Sequence, residues 1–525
     1  MNGAEAVVAT LRACGVEVVF ANPGTSEMHL VAALDREPAL RAVPCLFEGV
    51  ATGAADGYGR MAGRPAATLL HLGPGLANGL ANLHNARRAG TPLVNLVGDH
   101  AIPHKQFDAP LESDIDAMAG TVSGWLRRCT APAAVGADTA AAVAAARTAP
   151  GRVATLVLPA DVSWSPGASP APPVAAPTPT PVADDTVTDV AAVLRSGEAT
   201  ALLLGGPAVH GTSLRAGARV AAATGARLLC ETFPARLERG AGLPVVERLG
   251  YLPEGARAQL QGLRHLVLIG AREPVSFFAY PGQPGRLAPD GCRVHTLAGP
   301  DADIEDALAL LGDLLPPATT GTATPTRPEP PSGELTGETV ATAVGSLLPE
   351  GAIVVDEANT SGLWLPAATA GAPRHDWLTL TGGAIGQGLP LAAGAALARP
   401  DRPVVCLEAD GSAMYTLSAL WTHAREGLDI TTVVLANHSY AVLEMEYDRL
   451  APIPLTTGHA RRDLFDLSRP RLDFVRLALG MGVPATRATT GEDFTAQLAT
   501  ALAEPGPHLI EARVPALFGP QRLVS

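Results

Sequence analysis

A single lysine, Lys105, stands in this chain, and all other basic charge is arginine. That scarcity argues against pyridoxal phosphate, biotin, lipoyl or Schiff-base chemistry, each of which needs a lysine at a specific place. No GxxxxGK[ST] occurs, so a P-loop is excluded. The six cysteines, Cys14, Cys45, Cys129, Cys230, Cys292 and Cys406, form no CxxC pair. They read as reduced core thiols in a cytoplasmic protein, not as a zinc site or a disulfide frame. No apolar run reaches about 18 residues, so no membrane span is expected. The opening Met1-Asn2-Gly3-Ala4-Glu5 enters a helical pattern without a basic region, so no signal peptide is expected either. A formal net charge of −13 argues against nucleic acid or an anionic membrane as partner.

What is present suits a large α/β enzyme. With 525 residues, 47% of them hydrophobic, the chain can bury several cores, and its length suggests about three domains. Two Pro-rich breaks, Ser163 to Asp185 and Pro316 to Glu334, divide it into 1–165, 186–315 and 335–525. In the middle segment Ala201–Leu204, Ala226–Cys230, Leu266–Ile269 and Arg293–Leu297 are apolar strands alternating with Ala-rich helices, a Rossmann-like pattern. Gly205-Gly206-Pro207-Ala208 is no GxGxxG, and no acidic residue is found at the expected ribose position, so nucleotide binding there has weak support.

The segment Asp410 to Asn437 carries the chemistry. Asp-Gly-Ser-Ala-Met-Tyr, an amphipathic stretch and Thr-Thr-Val-Val-Leu-Ala-Asn-His-Ser read as strand end, helix and next strand end. A parallel βαβ unit would bring Asp410 and Asn437 together at the carboxyl edge of a sheet, where open α/β sheets bind ligands. An Asp oxygen, an Asn amide oxygen and a backbone carbonyl near Ser439 would fill three places on Mg²⁺, leaving the rest to diphosphate and water. Gly411 and Ser412 would open the helix whose free N–H groups face the phosphates.

This segment resembles the cofactor motif of the thiamine-diphosphate (ThDP) enzymes, the family of acetolactate synthase and benzoylformate decarboxylase, in which Gly-Asp-Gly is followed farther on by Asn-Asn. Ala409 and His438 depart from it, though neither replaces a metal ligand. A second stretch supports the resemblance: Asn22-Pro23-Gly24-Thr25-Ser26-Glu27, then Phe47-Glu48-Gly49-Val50-Ala51 opening Ala54-Ala55-Asp56-Gly57-Tyr58-Gly59-Arg60. The resemblance makes Glu48 the acid that faces the aminopyrimidine and activates the cofactor. It makes His71, before Gly73-Pro74-Gly75, a proton-transfer residue, as in benzoylformate decarboxylase, and lets Thr25 contact the substrate carboxylate.

The same resemblance assigns Thr360 and Ser361, with Gly411, Ser412 and Tyr440, to the diphosphate end. It gives Gly383 a carbonyl contact with the aminopyrimidine. Ile385, 25 residues before Asp410, becomes the aliphatic prop that bends the cofactor. His100 and His104 follow the strand Pro92–Val97 near the same rim, but no family role transfers to them. Phe277 and Phe278 stand in the region where benzoylformate decarboxylase has a second His; pocket walls are expected from Leu443, Glu444 and Tyr280 as well.

Three doubly wound parallel-sheet domains are implied: pyrimidine-binding, Rossmann-like middle and diphosphate-binding. Because Glu48 and Asp410 belong to different domains, the resemblance implies a homodimer or homotetramer, with the cofactor between subunits. Nothing calls for FAD. The expected activity is ThDP- and Mg²⁺-dependent decarboxylation of a 2-oxo acid with transfer of the acyl unit to a second carbonyl compound. Simple decarboxylation, or a degenerate protein that binds no cofactor, are the alternatives.

Overall fold

The computed structural model describes residues 1–450 and 459–517; the remaining parts of the third predicted segment lie outside the described residues. Three sheets follow one another along the chain. The first contains β1 (Val18–Asn22), β2 (Arg41–Pro44), β3 (Ala66–Leu70), β4 (Leu93–Asp99), β5 (Trp125–Arg128) and β6 (Val153–Pro159) in the order β2-β1-β3-β4-β6-β5, all parallel. The second takes β7 (Thr200–Leu204), β8 (Arg227–Cys230), β10 (Glu247–Arg248), β11 (His265–Ile269) and β12 (Arg293–Ala298) in the parallel order β10-β8-β7-β11-β12. The third takes β13 (Ile353–Glu357), β14 (His375–Thr379), β15 (Val404–Ala409), β16 (Ile430–Ala436), β17 (Ala485–Ala488) and β18 (His508–Arg513) in the order β17-β18-β16-β15-β13-β14. The expected α/β class of parallel sheets is borne out.

One strand breaks the all-parallel expectation. β9 (Leu237–Arg239), from the middle part of the chain, pairs antiparallel with β14 and forms the edge of the third sheet. Parallel strands sandwiched between helices bury both faces and so read as continuous apolar runs. Every residue of β6 and of β16 is buried accordingly.

Element boundaries shift where local chemistry outweighs apolar content. β1 starts at Val18, because the N–H of the apolar Val16 before it bonds Leu11 O in a turn. β4 runs on to Asp99, so its carboxyl end carries a buried acid. The first Pro-rich segment is shorter than its composition suggests: Ser163 lies in the helix Ala160–Trp164, and Asp184 and Asp185 open the helix Asp184–Arg195, where acidic groups suit the amino end. The six cysteines are free, and all but Cys292 are buried. Among the described residues no helix is long and apolar enough to cross a membrane.

Helix Glu48–Ala62 packs directly on helix Gly388–Ala398. Their backbones touch: a Cβ on Gly57 would stand 2.0 Å from Leu391 O, and one on Gly394 would stand 1.8 Å from Ala54 O. Within this contact Arg60 forks onto Asp56 and reaches Thr379 O, while Gln387 Nε2 donates to Asp56 Oδ2 at 2.7 Å. One apolar core therefore runs from β4 of the first sheet to β14 of the third.

Candidate functional site

The carboxyl edge of the third sheet presents Asp410 and Asn437 side by side. β15 and β16 pair in parallel with Ala409 opposite Leu435, so Asp410 and Asn437 are each within two residues of that rung. The intervening helix differs from expectation. Gly411 and Ser412 lie in a single turn, Asp410–Ala413, and the amphipathic helix begins only at Ala419. Asp410 Oδ1 accepts from Gly411 N–H at 2.8 Å and Oδ2 from His438 N–H at 2.6 Å. Asn437 Oδ1 accepts from Ser439 N–H at 2.9 Å, and its Nδ2 donates to Ser361 Oγ at 3.3 Å.

Burial pushes the Asp410 carboxyl up to about 6, and among the described residues no cationic side chain offsets its charge. A buried carboxylate without a counter-charge is costly, and a bound cation would relieve it. A carboxylate and an amide oxygen are hard-oxygen donors of the kind Mg²⁺ takes beside phosphate oxygens and water. Among the described residues no cluster of three His, Cys, Asp or Glu could hold a metal. The fit to a magnesium diphosphate rests instead on the Asp410 carboxylate and the Asn437 amide oxygen, with phosphate oxygens and water to complete the set.

Both departures from the motif are accommodated. Ala409 is extended, at φ −81° and ψ 145°, and so does not crowd a left-handed turn. His438 adopts φ 55°, a conformation that His enters more readily than most residues, and it meets Asp410 through its backbone N–H.

Two loops complete this edge. Thr360 and Ser361 lie buried in the turn Asn359–Gly362 after β13, and Asn359 Nδ2 donates to Ser412 Oγ at 3.0 Å. The Tyr440 ring covers Gly411, where a Cβ would stand 2.5 Å from Cε1. Gly383 (φ 75°) and Ile385 belong to the second loop, which is tied from both sides. Asn85 Nδ2 donates to Ala384 O at 2.8 Å, and Glu357 accepts from Gly386 N–H at 2.7 Å and Gly388 N–H at 2.5 Å. Sequence reading found no role for Glu357 or Asn85; both act through partners distant along the chain.

The first sheet's carboxyl edge gathers the acid–base groups. Glu48 opens the helix Glu48–Ala62 and accepts from Asn78 Nδ2 at 3.0 Å. His71 follows β3, and its Nδ1 lies 2.7 Å from Glu27 Oε2 and 3.2 Å from Ser26 Oγ. Glu27 is fully buried and is held by Gly24 N–H at 2.8 Å and Ser26 Oγ at 2.5 Å. Thr25, taken from this turn on the family resemblance, is exposed; Gly24, Ser26 and Glu27 of the same turn lie against His71. Gly75 sits between the two candidate acid–base residues, since a Cβ there would stand 3.2 Å from Glu48 Oε1 and 3.3 Å from His71 Cβ.

In the second sheet one half-buried acid lies close to the glycine turn. Glu231 directly follows β8, and a Cβ on Gly205, just past β7, would stand 2.8 Å from its carboxyl. Burial raises that carboxyl to about 7.

A family model described as the N-terminal TPP binding domain of thiamine pyrophosphate enzymes matches residues 1–119, and its C-terminal counterpart matches 360–512. The chain belongs to the thiamine pyrophosphate enzyme family. It is 62% identical to a Mycobacterium tuberculosis protein named "Putative acetolactate synthase large subunit IlvX", over 99% of this chain and 100% of that one. It is 29% identical to the benzoylformate decarboxylase of Pseudomonas aeruginosa, over 95% of this chain and 96% of that one. Among solved structures, the ThDP-dependent 4-hydroxybenzoylformate decarboxylase of Rhodococcus jostii superposes with a TM-score of 0.84 at 25% identity, covering 98% of this chain and 99% of that one.

Proposed function

We propose that this chain decarboxylates a 2-oxo acid with ThDP and Mg²⁺ and transfers the acyl unit to a second carbonyl compound. The observation that carries the reading is Glu48 and His71 flanking Gly75, in a chain whose Asp410 is buried without a counter-charge. When bound, the cofactor supplies a carbon nucleophile and an electron sink. Asp410, Asn437 and the Ser439 carbonyl would hold Mg²⁺. Thr360, Ser361, Gly411, Ser412 and Tyr440 would hold the diphosphate end, with Gly383 and Ile385 at the aminopyrimidine. Glu48 would bond the pyrimidine nitrogen, His71 would move protons at its Nε2, and Thr25 would meet the substrate carboxylate.

Transfer to a carbonyl, as against a proton, is favoured by the Phe277 segment. Its ring packs 5.3 Å from Phe233 and 5.1 Å from Tyr251, so this region offers aromatic surface in place of a second imidazole. The name of the 62% identical relative points the same way. The family resemblance, with Glu48 in the first domain and Asp410 in the third, supports a site shared between two copies in a homodimer or homotetramer. We assign 1–165, 186–315 and 335–525 to pyrimidine-binding, middle and diphosphate-binding domains, and the enzyme to the cytoplasm.

Mass spectrometry after incubation with pyruvate and a panel of 2-oxo acids and aldehydes tests the reading; a coupled hydroxyketone should exceed free aldehyde. Simple decarboxylation is the second reading, favoured by the Glu27-held His71 as a ready proton donor. Release of only CO₂ and aldehyde, even at high acceptor concentration, would establish it instead.

A further inference from the structure

Between β14 and the helix Gly388–Ala398 runs the loop that presents Gly383 and Ile385, both assigned above to the aminopyrimidine. Gly383 at φ 75° and Gly386 at φ 89° take left-handed conformations. Among the described residues no backbone–backbone hydrogen bond involves Gly382 to Gly386, so the loop's polar anchors are side chains. His84 Nε2 lies 3.1 Å from Gly382 O, and Thr416 Oγ1 donates to Gly386 O at 2.9 Å. Asn85 clasps Ala384 through both its N–H, at 3.2 Å, and its carbonyl, at 2.8 Å.

Glu357 is the one carboxylate among these anchors. It ends β13, is 3% exposed, and uses both oxygens: Oε1 accepts from Gly386 N–H at 2.7 Å and Oε2 from Gly388 N–H at 2.5 Å. It thereby clamps the exit of the loop and takes N–H groups that the start of a helix leaves without intrahelical partners. Among the described residues no cationic side chain offsets its charge. Ser, Thr or Asn caps a helix without burying a charge, so a buried acid is a costly cap. What the acid adds is strength and direction. Bonds to an ionised acceptor are roughly twice as strong as neutral ones, and two oxygens in one plane fix two N–H groups at once.

We infer that Glu357 is a positioning residue for the aminopyrimidine: by holding Gly386 and Gly388 N–H it fixes the backbone on which Gly383 and Ile385 meet the cofactor. That role rests on the ThDP reading above and extends it to a side chain that acts only through the loop.

Calorimetric titration at pH 8 with ThDP and, separately, with inorganic diphosphate, each with Mg²⁺, reads binding without turnover. Glu357→Gln keeps the size but has one acceptor oxygen in place of two. ThDP affinity should fall about tenfold or more, while affinity for inorganic diphosphate, which has no pyrimidine, should stay within about twofold. Glu357→Asp, which keeps the charge but is one methylene short, should show the same selective loss. Ile385→Ala should weaken ThDP in the wild-type background and add little to Glu357→Gln, because both act through one loop. Circular dichroism on each variant confirms the fold. Wild-type ThDP affinity in both Glu357 variants, equal losses for ThDP and inorganic diphosphate, or an Ile385→Ala effect that adds in full overturns the positioning role. A wild-type chain that binds inorganic diphosphate but not ThDP overturns the cofactor reading itself.

Discussion

Glu27 Oε2 lies 2.7 Å from His71 Nδ1, with the carboxylate fully buried and the imidazole partly open. A carboxylate so placed holds the proton on Nδ1 and leaves Nε2 free as the working atom. Glu27→Gln keeps the shape but supplies an amide that cannot fix that tautomer as well. Turnover of pyruvate should fall by about 10²-fold, with ThDP affinity little changed. Steady-state rates and ThDP titration on the same preparation check this; wild-type turnover would remove Glu27 from the proton path.

Asp410→Ala should abolish Mg²⁺-dependent ThDP binding and leave the protein folded. The backbone N–H groups of Gly411 and His438 that now bond the carboxylate cannot hold a diphosphate without its bridging cation. Calorimetric titration of ThDP with and without Mg²⁺, beside circular dichroism, reads both halves of the expectation. Undiminished affinity in the folded variant would sink the assignment.

Asp410 and Asn437 were legible in the sequence because a parallel βαβ unit fixes where its two strand ends meet, whatever the helix between does. The division of that helix at Met414–Ser418 was not legible, since both halves share one polar pattern. Glu48 and His71 were legible through motifs carried by a local turn. Glu27 stood in the quoted stretch, yet its role depends on His71, 44 residues on, arriving beside it through β3. Asn85 and Glu357 were hidden for the same reason: one side chain crosses from the first part of the chain to the third, and the other bonds backbone N–H groups past the next strand. β9 escaped because a three-residue antiparallel edge leaves no periodic trace.

Glu48→Gln separates cofactor activation from cofactor binding. The amide has the carboxyl's size and can keep its bond with Asn78, but it cannot share a proton with a ring nitrogen. Exchange of the thiazolium proton, followed by NMR in D₂O, should slow by roughly 10²-fold or more while ThDP still binds. Exchange at the wild-type rate would show that another residue serves as activating acid.

Glu357 gives the apoprotein a pH dependence whose sign can be worked out. Burial pushes its carboxyl from the ordinary 4.5 up to about 7, against the pull of the Gly386 and Gly388 N–H groups. Glu408, its partner on the adjacent strand, is likewise raised well above the usual carboxylate range, chiefly by burial. A value raised in the folded state means that folding takes up a proton between about pH 4.5 and 7. The contribution is therefore fully present below 4.5 and is lost as pH rises through 7, about 3 kcal/mol for a shift of this size. Glu357→Gln has no such proton to lose. From pH 5 to pH 8 the wild-type apoprotein should fall in melting temperature relative to this variant, as read by calorimetry on both proteins in matched buffers. A constant difference across that range would mean that Glu357 ionises in the folded chain as freely as in the unfolded one.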